Sequence, residues 1–114
     1  MKKYQLGALT VRDKGLQDTK EEIVIELIDR MQKYVADGKA AFKNGSYTKE
    51  QKLNAIEYLC GRFCGLSDFL QETMGIEVRR VDGLPYTQEM YNRFHYWKMM
   101  LNIEIAKENE AAEN

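Results

Sequence analysis

The chain has 114 residues, 44% apolar and 31% charged, with a net charge of −1. That size sets a single domain, 1–114, and the composition excludes a disordered chain. The near-neutral balance argues against general DNA or RNA binding, which requires a basic domain.

The opening "MKKYQLGALTVRDKG" is too short and too polar for a signal peptide, and no apolar run approaches a membrane span. Two cysteines four residues apart do not form a secreted disulfide framework. A cytoplasmic protein is the expectation.

Residues 4–12, "YQLGALTVR", have strand-forming composition but are short and weakened by Gly7. "DKGLQD" follows as a turn, and Asp18 or Thr19 is placed to cap a helix. That helix is expected from about Thr19 to Lys43. Val24, Leu27, Ile28, Met31, Val35 and Phe42 share one face, and Glu22, Glu26 and Asp29 share the other. Gly38 lies near the apolar side and marks a kink or a restart. "KNGS" stops the helix, with Gly45 available as a left-handed residue.

A second helix is expected from about Thr48 to Met74. Leu53, Ile56, Cys60, Phe63, Ser67, Leu70 and Met74 recur every three or four residues. "IEVRRVDGLP" then reads as a short strand and turn, with the alternation breaking at Arg80–Val81. A third helix starts near Thr87 and runs to about Lys107, before an acidic, solvated tail from about residue 108. The fold class is mostly α, with a minor α+β character. It is a three-helix domain with two long helices and a small two-stranded β element, paired within the chain or across a subunit boundary.

The third helix holds the unusual stretch "YNRFHYWKMML". Met90, Phe94, Trp97, Leu101 and Ile105 lie within about 80° of one another at ~100° per residue and form a core face flanked by Tyr91. Tyr96, Met99, Met100 and Ile103 fall on roughly the opposite side, where a surface helix is normally polar. A second apolar face of this kind predicts an interface, here with another copy of the chain. On the second helix, Gly61 and Gly65 lie among polar residues. Each costs ~1 kcal/mol relative to alanine, and bare backbone there permits a close approach.

The best ligand candidate is Arg79, Arg80, Tyr86, Tyr91 and Arg93, because guanidinium forks and aromatic faces suit phosphates and bases. No Gly-rich phosphate loop accompanies them. His95, the only histidine, has no local nucleophile or orienting partner and reads as structural. Cys60 and Cys64 bring no further metal ligands at suitable spacing and read as packed thiols.

An enzyme alternative rests on carboxylates. Glu22, Glu26 and Glu57 are the residues on which a metal-dependent, all-α nucleotide hydrolase would hold magnesium. The closely spaced acidic pair such enzymes carry on a second helix is absent.

The sequence therefore predicts a small, non-enzymatic, oligomeric binding protein without cofactor or metal. It acts as an inhibitor or adaptor on a partner protein, and accessory proteins of phages or mobile elements share this size and lack of catalytic motifs. The first alternative is an oligomer sequestering a nucleotide-like anion, and the second is the hydrolase.

Overall fold

The computed structural model describes residues 2–113. Three helices, α1 (Glu21–Lys43), α2 (Lys49–Asp68) and α3 (Tyr86–Glu113), carry most of the chain. Three short strands, β1 (Lys2–Leu6), β2 (Leu9–Asp13) and β3 (Ile76–Arg80), form one antiparallel sheet in the order β1-β2-β3. The mostly helical class with a minor β part is as expected. The sheet, however, has three strands, and α3 is the longest helix at 28 residues.

The extra strand comes from Gly7. Its φ of +59° is open to glycine at no cost, and no other residue type takes positive φ here. With Ala8 at negative φ, the two-residue loop has the form that joins strands most tightly. Residues 4–12 are thus a hairpin. β2 then pairs with β3 inside the chain, Val11 opposite Val78 and Asp13 opposite Ile76. Lys14 N donates to Gly75 O at 3.0 Å and Val81 N to Ala8 O at 3.0 Å, extending this ladder at both ends.

Helix boundaries follow local chemistry. α1 begins after Lys20, whose side chain makes no cap, so neither Asp18 nor Thr19 performs that role. The helix continues without a break through Gly38, so there is no restart. Asn44 ends it in an extended conformation and its Oδ1 accepts from Ser46 N at 2.9 Å, so Gly45 needs no left-handed backbone. α2 opens on a reciprocal capping box: Thr48 Oγ1 accepts from Gln51 N, and Gln51 Oε1 accepts from Thr48 N.

A single π turn, Phe69–Thr73, follows α2, and Gly75 at φ +69° releases the chain into β3. α3 starts one residue earlier than the sequence implied and stays helical through Glu113, so the expected solvated tail is helix.

The core lies where the three helices meet and extends under the sheet. Ile28, Met31, Ile56, Phe63, Leu70, Phe94 and Leu101 are almost wholly buried, each contributing ~1.5–3 kcal/mol of transfer free energy. Val24, Val11 and Ile76 join them at the sheet end. Ile105, expected in the core, is only half-buried. Phe94 and Trp97 press on α1 at Gly38: a Cβ there would stand 2.8 Å from Phe94 Cε1 and 3.0 Å from Trp97 Cζ3. No helix among the described residues is long and apolar enough to cross a membrane.

Candidate functional site

Of the five residues grouped as an anion site, Arg80 and Arg93 meet at one carboxylate, Glu89, while Arg79 lies apart from them. Arg79 and Arg80 are neighbours in β3, and successive strand residues point to opposite faces. Arg79 bonds Glu77 and donates to Gly83 O at 2.9 Å. Arg80 bonds Glu89 on α3 and lies 3.1 Å from the Asp82 carboxylate. Arg93 stands 3.9 Å from the same Glu89 carboxylate. Each guanidinium already faces an anion of its own chain.

Tyr86 is buried edge-on against Phe63, and burial pushes its hydroxyl up to about 12. Tyr91 is exposed and packs edge-on against His95, ring centroids 4.3 Å apart. His95 itself is exposed rather than at the edge of the core.

The carboxylates of α1 point to solvent. Glu26 pairs with Arg30 at 3.1 Å, and Lys33 pairs forward with Asp37 at 3.2 Å rather than back with Asp29. Among the described residues, no group of three or more His, Cys, Asp or Glu is placed to hold a metal ion. Cys60 is buried and Cys64 half-buried, both as free thiols.

The second apolar face of α3 is present as a surface. Tyr96, Met99 and Ile103 are 53%, 52% and 41% exposed, which is unusual for three large apolar side chains in one stripe. Met100, beside them, is half-buried. The six exposed residues between His95 and Ala106 are His95, Tyr96, Met99, Asn102, Ile103 and Ala106. None of the six is Asp, Glu, Lys or Arg, although Lys98 and Glu104 stand half-buried beside them. Along this face a shallow groove of about 590 Å³ opens between α2 and α3, lined by Glu57, Lys98, Met99, Asn102 and Ile103. Gly61 and Gly65 lie on the outer side of α2, and a Cβ on either would meet nothing within 4 Å.

Sequence reasoning missed two features. Lys98 and Asn102 line the groove beside the stripe, and the helical wheel of α3 alone could have placed them. Phe69 is exposed near Ile23 and borders a small apolar depression with Leu27 and Met74. The π turn that presents Phe69 has no sequence signal.

No protein-family model matches the chain, and neither a curated protein nor a solved structure matches it.

Proposed function

We propose that the chain is a non-enzymatic protein-binding module, an inhibitor or adaptor, that works through the outer face of α3. Its first partner on that face is a second copy of itself. The observation carrying this reading is the exposed apolar stripe of Tyr96, Met99 and Ile103 on a surface helix, in a chain that is 31% charged. Depletion of charge with retention of Tyr and Met is the composition of an interface centre. Tyr96, Met99 and Ile103 stand at i, i+3 and i+7, the anchor spacing of a helix laid against another helix or groove. An apolar stripe of this kind is complementary to itself, which favours a second copy over a strongly charged partner.

The arginines support the anion-sequestering alternative less well. An incoming phosphate would have to displace Glu77 from Arg79, and Asp82 and Glu89 from Arg80. A cytoplasmic setting, where Cys60 and Cys64 stay reduced, belongs to the same reading.

Sedimentation velocity tests it. The wild type is expected to associate in a way that survives high salt, because apolar contacts are not screened. Met99→Glu with Ile103→Glu is expected to leave single chains. Unchanged association in that variant would remove the α3 face from the account.

A further inference from the structure

Two groups of like charge lie at opposite ends of the molecule, and each is unfavourable for the element that carries it. The first is on the sheet. Leu9, Val11, Ile76 and Val78 are buried on one face. Strand alternation puts Lys3, Gln5, Thr10, Arg12, Glu77 and Arg79 on the other, where none is buried. The register sets Lys3 directly opposite Arg12, and like charges so opposed destabilise a sheet. Arg12 also faces Glu77, but that carboxylate is already bonded by Arg79. Lys14 continues the same row. The hydrogen bond from Arg79, with the charges of Arg79, Arg12 and Lys14, holds the Glu77 carboxyl below its ordinary range. Three cations thus gather around one carboxylate, and Lys3 adds a fourth on the next strand beyond Arg12.

The second group is on α3. This helix begins against β3 and carries its last turns away from the sheet, over roughly 42 Å at 1.5 Å per residue. Leu101 is its last buried residue, and Lys49 holds Glu104 and Glu108. Lys107 is the one basic residue between Leu101 and Glu113; Glu110 and Glu113 follow it with no ion pair among the described residues, and the last turn contains no basic residue. Negative charge at a helix C-terminus opposes the macrodipole.

We propose that a second copy relieves both: the acidic last turns of α3 in one copy dock on the basic outer face of the sheet in the next. The contact joins different surfaces, so it propagates head to tail into open chains or closes into rings. It does not use the strip from His95 to Ala106. Because it is a surface charge contact, it weakens as salt shortens the screening length from about 30 Å to a few ångströms.

The test is sedimentation velocity of the full chain across ionic strength, with two charge-altered variants. Lys3→Glu with Lys14→Gln places an acid opposite Arg12, which favours the isolated sheet, and adds no acid beside Glu77. Glu110→Lys with Glu113→Lys suits the helix dipole. Both variants are therefore expected to melt no lower than the wild type, so lost association is not misfolding. The wild type is expected to associate at low salt through a component that high salt removes. Each variant alone is expected to weaken that component by roughly tenfold or more. An equimolar mixture of the two is expected to restore it.

Three results would overturn the proposal. The first is a wild type whose mass does not change with salt. The second is variants that associate like the wild type, or a mixture that restores nothing. The third is a wild type that binds a short DNA duplex through Lys3 and Lys14 while showing no salt-sensitive self-association, which would assign the sheet face to nucleic acid.

Discussion

Gly38, Gly61 and Gly65 are all helical glycines, yet their surroundings predict opposite responses to the same substitution. Alanine improves helix propensity by ~1 kcal/mol at each. At Gly38 the new methyl would collide with Phe94 and Trp97, and overpacking a tight core costs ~1–3 kcal/mol. Gly38→Ala is expected to lower stability by about 1 kcal/mol net, while Gly61→Ala and Gly65→Ala raise it by about 0.5–1 kcal/mol each. Urea unfolding midpoints check all three. The helical wheel placed Gly38 near the apolar side, but not what it touches, because that depends on α3, 56 residues further along at Phe94.

Cys64 adds a pH response. Burial, and then its neighbour Cys60, push its thiol up to about 11. A folded-state value above the unfolded one means the thiol's contribution to stability is complete below about pH 8.5. It is lost as pH rises toward about 11. Cys64→Ala is expected to flatten that alkaline decline, and a wild-type decline that persists in the variant would place its cause elsewhere.

The elements differ in how they begin and end. The α2 capping box predicts that Thr48→Ala costs ~1 kcal/mol, whereas Lys20→Ser at the uncapped start of α1 gains up to ~1 kcal/mol. Thermal midpoints separate the two signs.

In β3, Glu77 stabilises through Arg79 while ionised. Its lowered folded-state value means this contribution is present above the ordinary carboxyl range and is lost as pH falls through the folded value. The advantage of wild type over Glu77→Gln is therefore expected to shrink on acidification.

The long amphipathic periods of α1 and α2 were legible because burial enforces them over many turns. The hairpin was not. Five-residue strands offer too few alternations to reveal a turn, and Gly7 read as a weak strand position rather than as a corner. The π turn at Phe69 was hidden for a different reason: Leu70 and Met74 continue the apolar rhythm across it.

The whole molecule is elongated, 61 × 24 × 22 Å, with a radius of gyration of 17.0 Å. A compact chain of this length has about 13 Å. The excess reflects α3, whose last turns run past the core, and that shape leaves both the apolar stripe and the acidic end open to other chains. The strip was legible because Tyr96, Met99 and Ile103 break the expected polar outer face of a surface helix. The placement of the arginines was only partly legible: the alternation of β3 sends Arg79 and Arg80 to opposite faces, while Arg80 and Arg93, distant in sequence, meet at Glu89.

Since the strip contributes little to the fold of one chain, Met99→Glu with Ile103→Glu is expected to change intrinsic single-chain stability by no more than ~0.5 kcal/mol per site. Native mass spectrometry on freshly purified wild type and on this variant tests the account most directly. The account predicts wild-type ions at whole multiples of the 13.3 kDa chain, without added small-molecule mass, and single-chain ions from the variant. Single wild-type chains carrying the mass of a nucleotide would contradict it and return attention to Arg79, Arg80 and Arg93.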